Sequence, residues 1–139
     1  MRDFSDLYAE IIMDHQKHPR NFGTLPIFDK EVQMTNSSCG DQISLQVKFE
    51  DGKIKDIKFM GIGCAISMAS ASVMTEIVKG MDVKEAKKIS GEFIEMVTNG
   101  KEPADDLKDA RAFSGVNKYP MRVKCATLAW HAIQKALSD

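Results

Sequence analysis

The chain has only three cysteines, Cys39, Cys64 and Cys125, and no C-x-x-C pair among its 139 residues. That excludes the paired-ligand spacing of ordinary zinc fingers. An odd number of thiols in a chain long enough to bury its own core also argues against a disulfide frame. Metal or thiol chemistry is the use that remains. The H-x-E and P-C-x-x-C segments of zinc deaminases are missing as well, so a zinc hydrolase or deaminase would lack its glutamate base and an open metal position. Charge of one sign is not in excess: 19 basic and 20 acidic residues leave a net charge of −1. This is no basic surplus for nucleic acid or an anionic membrane as main partner. No apolar run approaches the length of a membrane span. Met1-Arg-Asp-Phe-Ser-Asp6 offers no apolar signal segment. Repeats, low-complexity tracts and linkers are absent too. These absences lead us to expect one soluble, cytoplasmic domain spanning residues 1–139, with no nucleic-acid or membrane partner.

What is present is an alternation of short elements. Phe4, Leu7, Tyr8, Ile11, Ile12 and His15 recur at helical spacing and predict a helix from Phe4 to Lys17, stopped by Pro19. A short strand is expected over Glu31–Met34. Beyond Gln42, Ile43, Leu45, Val47 and Phe49 alternate with polar residues. Asp51-Gly52 is a hairpin turn, and Ile57 and Phe59 alternate on the return strand. A helix from Ala65 should end at Lys79-Gly80. Asp82-Val-Lys-Glu85 reads as a capping box opening a short helix, with Ser90 capping the next. Pro103–Arg111 is expected to be helical in part, Ser114–Pro120 a loop, and Met121–Leu137 the last helix. The fold class is therefore α+β: a small antiparallel sheet of about three strands with one buried face, together with helices. Residues 81–108 carry no obvious chemistry and read as a helical insertion.

The chemistry gathers at three places. Gly61-Ile-Gly-Cys64 joins a strand to a helix built of small residues, so Cys64 stands at a helix N-terminus, where free N–H groups and the helix dipole favour a thiolate. Gly61 and Gly63 allow a sharp turn and close approach to the sulfur. Cys39-Gly-Asp41 sets a thiol and a carboxylate two residues apart, which in an extended segment share a face. Cys125 lies early in the last helix, where it is read either as a ligand or as a small buried hydrophobe. Asp41 is either a ligand or a turn-forming Asp bonded to backbone. If the three segments converge, three thiolates and one carboxylate suit zinc, and soft thiolates also suit iron–sulfur clusters. His15 and His18 read as helix-end histidines rather than ligands, and His131, six residues beyond Cys125, is left out of the site. Arg122 either pairs with Asp41, steadies a thiolate or is a solvated cation; Lys124 has the same ambiguity.

Three segments, Cys39-Gly-Asp41, Gly61-Ile-Gly-Cys-Ala-Ile-Ser-Met-Ala-Ser-Ala-Ser72 and Arg122-Val-Lys-Cys-Ala-Thr-Leu-Ala-Trp130, resemble the signatures of the NifU/IscU/SufU family of iron–sulfur cluster assembly proteins. The Leu7-Tyr8 helix and Pro19-Arg-Asn-Phe-Gly23 fit the same pattern, so the resemblance covers nearly the whole chain. It implies a small antiparallel sheet with helices packed on one side, and that the three cysteines and the aspartate cluster at one exposed edge. The IscU-like scaffold branch has a His immediately before its third cysteine, where this chain has Lys124, and it runs more directly from the Cys64 helix to the last helix. The extra segment over residues 81–108 resembles the SufU branch. That likeness implies one zinc per chain, held by Cys39, Asp41, Cys64 and Cys125, and a sulfurtransferase role beside a PLP-dependent (SufS-like) cysteine desulfurase. Persulfide sulfur would then pass on to a downstream iron–sulfur scaffold. It also implies that the desulfurase supplies a replacement ligand on docking and so frees a cysteine. Cys39, in a loop beside Gly40, is the expected sulfur acceptor. The alternative is an IscU-type scaffold that holds a transient Fe–S cluster at the same cysteines.

Overall fold

The computed structural model describes residues 4–138; Met1-Arg-Asp and Asp139 lie outside the described residues, as does the side chain of Phe4 that opens the N-terminal stripe. The elements are α1 (Phe4–Lys17), β1 (Lys30–Asn36), β2 (Asp41–Glu50), β3 (Lys53–Ile62), α2 (Ala65–Val78), α3 (Val83–Asn99), a 3-10 segment (Asp105–Lys118) and α4 (Pro120–Leu137). The strands form one antiparallel sheet in the order β1-β2-β3, and the fold is α+β with an inserted helical segment.

The sheet follows from the alternation. Val32, Ile43, Leu45, Val47, Ile57 and Phe59 are buried on one face, against which α2 and α4 pack. Gln42 and Met60 on the opposite face are exposed. Asp51 and Gly52 have φ of 54° and 76°, the left-handed pair that a two-residue hairpin turn needs. One bulge interrupts the pattern. Lys48 pairs with Asp56 while Phe49 pairs with Ile54, leaving Lys55 as the extra residue on β3. This shifts the phase of β3, so Ile54 is fully buried although it lies an odd number of residues from Ile57. It also leaves Phe49, expected in the core, only half-buried. The outer edge of β3 is covered by residues 21–23: Gly23 N–H donates to the Phe59 carbonyl at 2.9 Å, and Phe59 N–H to the Asn21 carbonyl at 3.0 Å. Such cover blunts an edge that could otherwise template pairing.

Helix α2 is the centre of the helical layer. Ser67, Ala69, Ser70, Ala71 and Ser72 are all buried, and their small size admits α1 on one flank and α4 on the other. The hydroxyls serve as joints. Ser70 Oγ donates to the Ala126 carbonyl at 2.6 Å and accepts from Trp130 Nε1 at 3.0 Å. Ser72 Oγ lies 2.8 Å from His15 Nδ1 and accepts the Arg20 backbone N–H at 2.8 Å. Burial, reinforced by the nearby Arg20, lowers the pKa of His15, so the neutral ring is the form that docks α1. On α4, Trp130 is fully buried and stacks on Phe93 of α3 with ring centroids 4.2 Å apart.

Three expectations of the sequence are corrected here. The stretch from Asp82 to Asn99 is one helix rather than two. Asp82 caps it by accepting from Lys84 N–H at 2.8 Å, but Ser90 lies inside it and its hydroxyl donates back to the Lys87 carbonyl at 2.9 Å. A mid-helix serine bonded to its own preceding turn has the same sequence signature as a cap. Residues 114–118, expected as loop, are 3-10 turns continuous with those before them; the kink lies earlier, at Lys108, with φ 51° and ψ −127°. Leu7, expected on the buried stripe of α1, is 44 % exposed. Among the described residues, no helix is long and apolar enough to cross a membrane.

Where the 3-10 segment meets α3, Glu92 Oε2 and Asp106 Oδ1 are buried without a hydrogen-bond partner, and Lys88 Nζ lies 3.7 and 3.6 Å from their other oxygens. Burial, then the adjacent Asp106, raises the pKa of Glu92. A carboxyl raised in the folded state disfavours folding once pH exceeds its unfolded value. Glu92→Gln should therefore raise the thermal midpoint at pH 7 by about 2 °C. The gain should vanish below pH 4, where the glutamate is protonated folded or unfolded. A lowered midpoint at pH 7 in scanning calorimetry would contradict this.

Candidate metal centre

The site lies where the β1–β2 turn, the end of β3 and the first turns of α2 and α4 meet. Residues 37–40 are turn, Gly40 has φ 70°, and Asp41 opens β2 with no exposed surface. Cys39 and Asp41 thus converge through a left-handed glycine turn, not through the two-residue period of a strand. Asp41 is no local turn-former either. Its Oδ1 accepts the backbone N–H of Cys64, 23 residues on, at 2.9 Å. Its Oδ2 accepts from Asn36 Nδ2 at 3.3 Å.

Cys64 is the N-cap of α2, with φ −71° and ψ 167°, and is half-buried. Neither Gly61 nor Gly63 has positive φ, so conformational freedom is not why they are glycine. The reason is space. A Cβ on Gly63 would meet Asp41 Oδ1 at 2.6 Å and collide with Ser67 Oγ, and a Cβ on Gly61 would collide with the Gln42 carbonyl. What these glycines admit is the carboxylate and the neighbouring strand, rather than a group approaching the sulfur.

Cys125 is completely buried in the second turn of α4. Its thiol donates to the Met121 carbonyl at 3.5 Å, and Asn36 Nδ2 lies 3.8 Å from its sulfur. Cys39 Sγ, an Asp41 carboxylate oxygen and Cys125 Sγ all lie within 4.8 Å of one another. Cys64 Sγ is outside that close set, but the Cys64 thiol, like that of Cys39, is near enough to Cys125 to raise its pKa. Arg122 is exposed, and its pKa is raised first by Cys125 and then by Cys64 and Cys39. Lys124 and His131 are exposed, and His15 is engaged with Ser72 instead.

The donor set fits a metal ion. Ligand atoms around tetrahedral zinc stand about 3.3–3.8 Å apart, and the close set needs only a small contraction to reach that. The hydrogen bonds to the buried Asp41 come from neutral N–H groups, and a carboxylate enclosed with thiols calls for a cation. Two sulfurs and an oxygen, with a third sulfur alongside, suit zinc or iron and do not suit calcium or magnesium. Asn36 was missed from sequence, where it reads as one more turn residue. Its only signal was its place three residues before Cys39, at a strand end.

Burial, followed by the adjoining Cys39, Cys64 and Asp41, pushes the Cys125 thiol well above its ordinary value. A raised thiol pKa leaves less thiolate at a given pH. In metal-free protein at pH 8, iodoacetamide should modify Cys125 at least about tenfold more slowly than Cys39 or Cys64. Peptide mass spectrometry over a time course would show it, and equal rates at all three would refute the buried placement.

The NifU-like N-terminal domain model matches residues 7–126. The chain is 48% identical over 134 residues to the zinc-dependent sulfurtransferase SufU of Bacillus subtilis, covering 95% of this chain and 90% of that protein. It is 46% identical over 132 residues to the iron–sulfur cluster assembly scaffold protein IscU of Streptococcus pyogenes, covering 94% and 82%. Among solved structures, a putative iron–sulfur cluster assembly scaffold protein for the SUF system from Fervidobacterium islandicum superposes with a TM-score of 0.88 at 38% identity, covering 96% of this chain and 98% of that one.

Proposed function

The chain belongs to the NifU/IscU/SufU family of iron–sulfur cluster assembly proteins, and on that premise we propose that it is a zinc-dependent sulfurtransferase of the SufU kind. It accepts persulfide sulfur from a PLP-dependent cysteine desulfurase and passes it towards cluster assembly. The observation that carries this reading is the close set of Cys39, Asp41 and Cys125, with Cys64 at its border. These four residues are the proposed zinc ligands. Bound zinc would keep the thiols deprotonated near neutral pH and shield them from oxidation.

The acceptor in this reading is Cys39. It is the one cysteine of the three outside regular helix capping or helix interior: it stands in a four-residue turn, half-buried, beside a glycine with open space around it. Cys125 is enclosed in α4, and Cys64 is held by the start of α2. The Cys39 thiolate attacks the outer sulfur of the donor's persulfide. A new S–S bond forms on Cys39, the donor's S–S bond breaks, and the electron pair leaves on the donor's cysteine as thiolate. Arg122 supports the step by placing a fixed positive charge beside the thiols, where an incoming persulfide anion would otherwise meet only like charge. Asn36 and the Cys64 N–H hold Asp41 in place throughout.

Desulfurase turnover should rise steeply and saturably with added zinc-loaded protein, the rise should be lost in Cys39→Ala, and the trapped persulfide should map to Cys39 by peptide mass. No rise, together with cluster formation once iron and sulfide are supplied, would replace this reading with that of an IscU-type scaffold. Asp41→Ala should lose zinc to a chelator at least about tenfold faster, the effect expected for losing a ligand. Unchanged retention would remove Asp41 from the ligand set.

A further inference from the structure

An apolar groove opens beside the thiol site and belongs to none of the ligands. Its volume is about 720 Å³. Its walls come from three places: Ala9 and Ile12 on α1, Ile66 at the start of α2, and Val116 with Tyr119 around the end of the 3-10 segment. Among the described residues, the charged ones lining it are Lys118 and Arg122, and no carboxylate lines it. Arg122 is shared with the thiol site, and Ile66 lies two residues beyond Cys64. A second hollow of about 380 Å³ shares Tyr119 and Arg122 and is lined also by Pro120 and Met121. Tyr119 and Met121 are 62% and 61% exposed. Apolar surface therefore runs from α1 across the mouth of the thiol site and onto the first turn of α4, and the charged groups along it are, among the described residues, basic.

We infer that this groove is the docking surface for the sulfur donor, and that it receives a segment of the desulfurase carrying apolar side chains and at least one carboxylate. The inference rests on the sulfur-transfer reading above. Charge and continuity select the occupant. Whatever delivers sulfur to Cys39 must bring a persulfide anion to the thiols, and the cation waiting there is Arg122, which is also a wall of the groove. The chain that bears the persulfide has to leave the site along some path. The groove gives that path apolar walls to desolvate and a second cation, Lys118, to pair with an acidic side chain. The volume lies in the range of roughly 300–1,000 Å³ typical of preformed pockets, ample for two or three inserted side chains.

The test uses Ala9→Glu and Lys118→Glu, both at exposed positions on the groove wall, so neither substitution cuts into the core. Lys87→Glu, exposed on α3 away from the groove, is the control. Zinc content and helicity should match the unsubstituted protein in all three. Binding to the same organism's PLP-dependent cysteine desulfurase is measured by calorimetry, alongside the turnover assay. Each groove variant should weaken binding and raise the half-saturating concentration at least tenfold, and Lys87→Glu should do neither. Stimulated turnover with unchanged half-saturation in both groove variants would overturn the groove and leave the sulfur-transfer reading standing. Binding without stimulation, weakened by the groove variants, would support the groove and overturn the transfer reading. No binding by the unsubstituted protein would overturn both.

Discussion

A carboxylate with no exposed surface sits at the point where two strands and two helices converge, and much of the site's architecture is a response to it. Asp41 can be buried because Cys64 N–H and Asn36 Nδ2 both reach it. Cys64 N–H is available because the residue caps α2, where its carbonyl accepts from Met68 N–H but its own N–H has no intrahelical partner. The carboxylate can approach that N–H because Gly63 has no Cβ in its way. β3 can lie against β2 up to this point because Gly61 likewise yields to the Gln42 carbonyl. Removing any one of these would leave a buried charge short of partners, a cost that few local rearrangements could offset.

Helix α2 extends the same economy of size. A helix with large buried side chains on these positions would hold α1 and α4 away from the sheet. Serine and alanine let both come close, and the serine hydroxyls then tie them down through His15, Arg20, Ala126 and Trp130. Those ties fix the approach of α4, and with it the position of Cys125 relative to a turn 86 residues earlier in the chain. The large contacts lie farther out, in the stack of Trp130 on Phe93, where α3 closes the layer. The site is held by small, hydrogen-bonded contacts near its centre and by aromatic packing at a distance.

The strand alternation, the Asp51-Gly52 turn and the α1 and α4 helices were legible because each depends on a local period or a local backbone requirement. The three site segments were legible as chemistry from their residue types. Most of what escaped was non-local. The bulge at Lys55 leaves no composition signal, so Ile54 was overlooked and Phe49 placed too deep. Ser90 looked like a cap because a cap and a back-bonded mid-helix serine share a sequence. Gly63 was read as admitting groups to the sulfur, but what it admits is a carboxylate from another strand, which no spacing along the chain discloses. Asn36 was invisible for the same reason: its two partners are five and 89 residues away.

The three thiols are chemically alike but unequal in what surrounds them, and that inequality is what a transfer function needs. Cys125 is enclosed, its pKa pushed upward by burial and by its neighbours, so as a thiolate it depends on a positive charge being present. It is suited to anchoring and poorly suited to leaving. Cys39 sits in a turn whose conformation is set by Gly40, with room on its outer side, and its backbone N–H makes a long 3.3 Å bond to the Asn36 carbonyl. A turn of this kind can change its path without disturbing the strands it joins, whereas moving Cys125 would mean moving α4 and its packing on Ser70. In the sulfur-transfer reading proposed above, one ligand detaches to act as a nucleophile while the rest hold, and the loop cysteine is the one whose movement would disturb the least packing.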